Sequence, residues 1–233
     1  MKAFLFDIDG TLIRTGGAGM GALGKIVHAS EAMTTQLRGM RLDGMTDRAI
    51  CRALLAAQQP GPAPVAERAA QVTLVAIDAL IERYLAALEA ALPEYAGKLQ
   101  IHAGVEDALA ALHGRGAIVG LATGNVVRGA ELKLGAVGLW RHFDPARSGF
   151  GSDAEDRAEL VRVGVERTGC PATDVLIIGD TPRDVAAAHD AGAPCLGVAT
   201  GRFTVHDLAE SGADVVAETL AAPSARRALG IDG

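Results

Sequence analysis

The stretch KAFLFDIDGT, residues 2–11, decides the fold. Its first half is a short continuous apolar run that stops at an acid, the pattern of a strand buried on both faces of a parallel sheet. The pattern returns in GAIVGLAT (116–123), DVLIIGD (174–180) and PCLGVAT (194–200), with helix-like segments between the runs. Strands that alternate with helices need crossover connections, so an α/β fold on a parallel sheet is expected. In the second half, Asp7 and Asp9 stand two apart at the strand's end. That is the carboxyl edge of the sheet, where open α/β folds bind ligands.

Between the first and second of these strands lies a region without a strand-like run. It reads as an inserted all-α unit, residues 16–97, within a core formed by 1–15 and 98–233. Its first helix is expected over about 20–36 and its second over about 46–58, with Asp47 in the first turn where a negative charge suits the helix dipole. The linker PGPAP (60–64) precedes a third helix. There Leu74, Ile77, Ile81, Tyr84, Leu88 and Ala91 recur at steps of three and four. The edges of the insert are glycine-rich, GGAGMG and AGKLQIHAG, as a hinged lid would need, although plain turns use the same residues.

Composition narrows the function. The net charge is −6, and no lysine or arginine run exists. Nucleic acid and anionic membrane surfaces are therefore poor partners, and a small ligand fits better. The most apolar segment, VTLVAIDALIERYLAALEAAL, carries Asp78, Glu82, Arg83 and Glu89, which a membrane span tolerates poorly. Cys51, Cys170 and Cys195 show neither zinc spacing nor a disulfide pattern. Free thiols and the short N-terminal apolar run point to a cytoplasmic protein. Composition leaves a monomer or a homodimer open.

The chemistry starts from repulsion. Asp7 and Asp9, and later Asp180 and Asp184 in IIGDTPRD, can converge at one sheet edge, where close carboxylates need a cation or a shared proton. Hard oxygen ligands of this kind suit Mg²⁺, which binds through one or two carboxylates, waters and phosphate oxygens. The match of Gly19, Gly21 and Gly24 to GxGxxG lacks a strand directly before it and carries no dinucleotide reading.

FDIDGT, LATGN and IIGDTPRD, in this order, resemble the first, second and fourth motifs of the haloacid dehalogenase superfamily. The helical insert resembles the cap of its phosphoglycolate phosphatase-like and β-phosphoglucomutase-like members. The resemblance implies a Rossmann-like core and a Mg²⁺-dependent phosphatase acting on a small phosphorylated metabolite. Asp7 would be the nucleophile and Asp9 the acid and base. Asp7, the Asp9 carbonyl and Asp180 would hold the metal, supported by Asp184. Gly10, Thr123, Gly124 and Asn125 would bind the phosphoryl group, although Asn125 also suits a helix N-cap. Asp184, likewise, suits a helix first turn.

The family's third motif is a lysine, and the chain has none after Lys133. Lys133, ten residues after Thr123, fits a helix surface. Arg157 lies 23 residues before Asp180, close to where that lysine belongs. A guanidinium binds phosphate oxygens bidentately and keeps its charge. The alternatives are that Arg157 pairs on the surface with Glu155, Asp156 or Glu159, or that Arg162 takes the role. In the cap, Thr46 and Arg48 lead a weak field of substrate contacts, ahead of His28, Arg38 and Arg41. DIDGT disfavours a dehalogenase or a phosphonatase. A phosphomutase, or a non-enzymatic phospho-acceptor module, stays open.

Overall fold

The structure, a computed structural model, describes residues 2–59, 61 and 63–231. Strand β1 (Ala3–Phe6) leads to a short strand β2 (Ile13–Arg14). The helices α1 (Ala18–Val27), α2 (Glu31–Gly39), α3 (Asp47–Gln58), α4 (Val65–Ala69) and α5 (Leu74–Ala91) follow. The chain returns through β3 (Gln100–Ile101), α6 (Val105–Gly114), β4 (Ile118–Thr123) and α7 (Val127–Gly135). It continues through β5 (Gly149–Phe150), α8 (Arg157–Thr168), β6 (Val175–Gly179) and α9 (Pro182–Asp190). The last elements are β7 (Cys195–Val198), α10 (Val205–Glu210), β8 (Val215–Ala217) and α11 (Pro223–Leu229).

Six strands form a sheet in the order β5-β4-β1-β6-β7-β8, and every pairing in it is parallel. The fold is therefore the expected α/β class, with β1 at the centre: Phe6 lies opposite Leu121 of β4 and opposite Ile178 of β6. All four residues of β1 are buried because helices cover both faces. Phe4 and Phe6 face one core with Leu109, Leu112 and Leu121, whereas Ala3 and Leu5 face another with Leu160, Val161 and Val185. That alternation of period two explains why the strand reads as an unbroken apolar run.

The helices from α1 to α5 pack around a third cluster that includes Ile26, Leu54, Ile77, Ile81 and Leu88. The two chain crossings into this region are zipped together by β2 and β3, which pair antiparallel through Ile13 with Ile101 and Arg14 with Gln100. Two expectations change here. The helix expected over 20–36 is two helices, because Ser30 accepts the Met33 N–H at 3.3 Å and starts a new one. Leu74 is 58% exposed at the first turn of α5, while the rest of its stripe is buried. Strands β2, β3, β5 and β8 are only two or three residues long and left no readable alternation. Of the PGPAP linker, Pro60 and Pro62 lie outside the described residues. No helix among the described residues is long and apolar enough to cross a membrane.

Helix α8 sits unusually close to the sheet edge. A Cβ at Gly149 would overlap the Leu160 carbonyl and lie 3.0 Å from the Gly164 nitrogen. Gly149→Ala should destabilise the protein by about 2 kcal/mol and lower Tm by roughly 5 °C, as overpacking does. Gly39→Ala, at a helix position with nothing within 4 Å of the added carbon, should leave Tm unchanged or slightly raised. Thermal scans of the two variants beside the parent protein check the contrast.

Candidate active site

Three adjacent strand ends build the site. Asp7 follows β1, Thr123 ends β4 and Asp180 follows β6, so parallel pairing alone delivers them to one edge. After Asp7 the chain turns sharply: Leu12 and Ile13 donate their N–H groups to the Ile8 carbonyl at 3.0 and 3.1 Å. Gly10 takes φ +90°, and a Cβ there would run into the Asp180 carboxylate. Glycine is needed at that turn both for its backbone conformation and for the close approach of the acid. Thr11 donates to Asp180 Oδ1 at 3.0 Å, and Thr200 donates to the Gly10 carbonyl.

Asp7, Asp180 and Asp184 are all buried, and one carboxylate oxygen from each lies within 4.8 Å of the others. Burial pushes the Asp7 and Asp180 carboxyls well above the ordinary carboxylate range, and the neighbouring acids push them further. Asp184 is bound on both sides. Its Oδ2 accepts the Thr181 N–H at 2.9 Å and the Thr181 hydroxyl at 2.7 Å, closing a capping box on α9. Its Oδ1 accepts two N–H groups of Arg157, from Nε at 3.0 Å and from Nη2. Clustered oxygens with excess negative charge fit a divalent cation.

Arg157 is the first residue of α8, and only 9% of it is exposed. Besides Asp184 it meets Asp7 Oδ1 at 3.1 Å through Nη2 and donates from Nη1 to the Gly44 carbonyl at 3.1 Å. Burial opposes its charge, but Asp184 and Asp7 outweigh that and hold its pKa above the usual guanidinium value. The acids beside it in sequence are occupied elsewhere. Glu155 receives Arg52 at 2.7 Å, Asp153 receives Arg167 at 2.6 Å, Asp156 caps α8 through the Glu159 N–H at 3.0 Å, and Glu159 pairs with Arg162. Surface pairing of Arg157 and a site role for Arg162, which is exposed, are thus both at odds with the geometry.

Lys133 is the main correction to the sequence reading. It is 5% exposed, and its Nζ lies 2.6 Å from Asp9 Oδ2 and 2.6 Å from Asn125 Oδ1. Burial disfavours its charge, yet Asp9, Tyr84 and Asp47 hold its pKa above the ordinary lysine value. A signal existed: Val126, Ala130, Lys133 and Leu134 fall on one helical stripe, and that stripe is buried. Asn125 is not the cap of α7, whose N-cap is Val126. Its Nδ2 instead donates to Asp9 Oδ2 at 2.9 Å and to the Thr123 hydroxyl at 2.9 Å.

The insert closes over this edge. The Asp47 N–H donates to the Gly124 carbonyl at 2.8 Å, and Asp47 Oδ2 accepts the Val126 N–H at 2.9 Å, acting as the remote cap of α7. Burial raises the Asp47 carboxyl to about 6, against the pull of Lys133. Sequence reasoning took Asp47 for a dipole-stabilising acid and Tyr84 for a packing residue; both line the cavity, which is about 260 Å³ and also reaches Asp7, Asp9, Lys133 and Arg157. Thr46 and Arg48 do not line it. Thr46 caps α3 and donates to the Glu155 carbonyl at 2.8 Å, and Arg48 pairs with Asp78 at 3.2 Å. His28, Arg38 and Arg41 are exposed and also lie outside it.

The sequence also matches a family of known proteins. A family model described as haloacid dehalogenase-like hydrolase matches residues 1–192. A probable phosphatase, IndB, of Dickeya dadantii is 28% identical over 225 residues, covering 92% of this chain and 88% of that protein. A phosphoglycolate phosphatase of Agrobacterium fabrum is 27% identical over 221 residues, covering 94% and 88%. Among solved structures, CbbY from Rhodobacter sphaeroides in complex with phosphate superposes with a TM-score of 0.66 at 22% identity, over 95% of each chain.

Removing Arg157 would leave buried carboxylates unpaired. Arg157→Met should destabilise the metal-free protein by about 3–5 kcal/mol at pH 8, measured by urea unfolding. The loss should be smaller at pH 5, where Asp7, already raised, takes up a proton in place of the cation. Arg162→Ala, on the surface, should change stability by no more than about 0.5 kcal/mol.

Proposed function

The chain belongs to the haloacid dehalogenase-like hydrolase family, and on that premise we propose that it hydrolyses a small organic phosphomonoester through an aspartyl phosphate on Asp7, with Mg²⁺ as its cation. The observation that carries the reading is the pairing of a buried acid cluster, Asp7, Asp180 and Asp184, with a separately held Asp9 in the cavity that Asp7 and Asp180 line. Asp7 and Asp180 would hold the ion with the Asp9 carbonyl, and Asp184 supports them from behind. When bound, Mg²⁺ screens the repulsion between a carboxylate nucleophile and a dianionic phosphate.

The chain's own residues account for the remaining steps. Arg157 grips Asp7 Oδ1 at 3.1 Å and fixes the rotation of the nucleophile, whose attack on phosphorus forms the acyl phosphate and expels the alcohol. Lys133 and Asn125 both hold Asp9 Oδ2, which leaves Oδ1 to give a proton to the departing oxygen. The same carboxylate then takes a proton from the water that cleaves the acyl phosphate, returning Asp7 and inorganic phosphate. The Thr123 hydroxyl accepts from Asn125 and has its own proton to offer a phosphoryl oxygen. Closure of the insert excludes bulk water from these steps. The three free thiols suit a reducing, cytoplasmic compartment.

Two outcomes test this. With Mg²⁺ the protein should turn over p-nitrophenyl phosphate continuously, and Asp7→Asn should lower the rate by about 10³-fold or more. A single burst that leaves a lasting aspartyl phosphate would instead favour the phospho-acceptor alternative. The second outcome concerns protons. Because the Asp7 and Asp180 carboxyls are raised in the fold, the native state binds protons that the unfolded chain has released. The metal-free protein should therefore lose stability as pH rises above about 4, the ordinary carboxylate value, through the raised values. A divalent cation replaces those protons. Saturating Mg²⁺ should raise Tm by roughly 5 °C more at pH 8 than at pH 5, read by thermal scans with and without EDTA.

A further inference from the structure

We infer that the alcohol released at this site is uncharged and presents an apolar face to the insert, so that carboxylate-bearing esters such as 2-phosphoglycolate are poor substrates. The inference rests on the phosphatase reading above and names its substrate class. It starts from how charge is distributed in the cavity. The floor, where a phosphoryl group would sit, carries Asp7, Asp9, Asp180, Lys133 and Arg157. The roof comes from the insert and is made largely of Met20, Leu23, Leu42, Met45, Ile50 and Tyr84. The charged groups that the insert contributes to the lining are Asp43 and Asp47, both acids.

The basic residues of the insert point elsewhere. Lys25 pairs with Glu94 and Arg48 with Asp78. Arg52 binds Glu155 and two carbonyls, Arg68 binds the Gln59 carbonyl, and Arg83 binds the Ile26 carbonyl. Arg38 and Arg41 are exposed, and neither lines the cavity. The two cations of the floor are already matched, Lys133 by Asp9 and Arg157 by Asp7 and Asp184. A second negative charge on the leaving group would thus be desolvated against an apolar roof, near two carboxylates and with no unmatched cation among the residues that line the cavity. A positive leaving group is no better served. Asp47 is committed to the Val126 N–H, and Asp43 lies 3.7 Å from Arg202.

One polar group remains on the roof. The Tyr84 hydroxyl and Lys133 Nζ approach one point, 3.4 and 3.8 Å from where a Gly19 side chain would begin. A Tyr there can donate to a neutral oxygen of the alcohol without asking for charge. The class indicated is a phosphate ester of a small alcohol with an alkyl face and at most hydroxyl or ether oxygens.

The test compares kcat/KM, with Mg²⁺, for n-propyl phosphate and glycerol 1-phosphate against 2-phosphoglycolate and phosphoethanolamine, with p-nitrophenyl phosphate as the reference. The neutral esters should exceed both charged ones by about tenfold or more. Leu42→Lys, which sets a cation in the roof at a half-buried loop position, should narrow the gap to 2-phosphoglycolate by about fivefold. Tyr84→Phe should slow glycerol 1-phosphate several-fold more than it slows n-propyl phosphate. Turnover of p-nitrophenyl phosphate together with a preference for 2-phosphoglycolate or phosphoethanolamine overturns the inference and leaves the phosphatase reading standing. No turnover of any ester, p-nitrophenyl phosphate included, overturns both.

Discussion

Mutual repulsion among carboxylates at the end of β1 is the constraint that organises this molecule. Parallel pairing of β1 with β6 forces Asp7 and Asp180 together, and the capping box of α9 adds Asp184 behind them. Left alone, three buried acids would protonate or open the sheet edge. The fold answers with one guanidinium that reaches two of the three, and with threonine hydroxyls on Asp180 and Asp184. The residual excess of negative charge is what a divalent cation would match. Asp9, two residues on and with its side chain 40% exposed, is kept out of this cluster by its own partner, Lys133. The two aspartates of DIDGT therefore occupy different electrostatic settings.

The same contacts tie the insert to the sheet. Arg157 spends one donor on the Gly44 carbonyl of the insert, while its others hold Asp184 and Asp7. Asp47 bonds the loop after β4 through both its backbone and its side chain. A Cβ at Gly124 would collide with the Met45 carbonyl, so this approach is backbone against backbone. Lifting the insert would leave the Val126 N–H and one Arg157 donor without protein partners and admit water to both. Closure and the arrangement of the acids are linked through these groups, with β2 and β3 as the short ribbon on which the insert is carried.

Much of this was legible in the sequence for physical reasons. Strands buried on both faces leave apolar runs that end abruptly, and these runs gave the sheet and the positions of Asp7, Thr123 and Asp180 at its edge. What escaped was decided by tertiary contact. Lys133 reads as a surface residue by type, and only its place on the stripe of Val126, Ala130 and Leu134 says otherwise. Arg48 and Thr46 read as substrate contacts because RLDGMTD (41–47) resembles the family's cap loop. The helix face they occupy turns toward Asp78 and the Glu155 carbonyl instead. The break at Ser30 follows from a single side-chain cap, which helical periodicity cannot reveal.

An arginine at position 157 is a different solution from a lysine, and the geometry says why. From the first turn of α8 the side chain must meet a carboxylate on α9, a carboxylate after β1 and a carbonyl of the insert. These partners spread around a plane, and a planar fork with five donors can serve them together. An ammonium is a point charge on a flexible stem, and it would have to choose among them. Lys133 fills that simpler need, one carboxylate and one amide oxygen at 2.6 Å each. The cationic work at this edge is thereby divided. A fixed fork holds the buried acids and the insert in register, and a compact ammonium holds the more exposed Asp9.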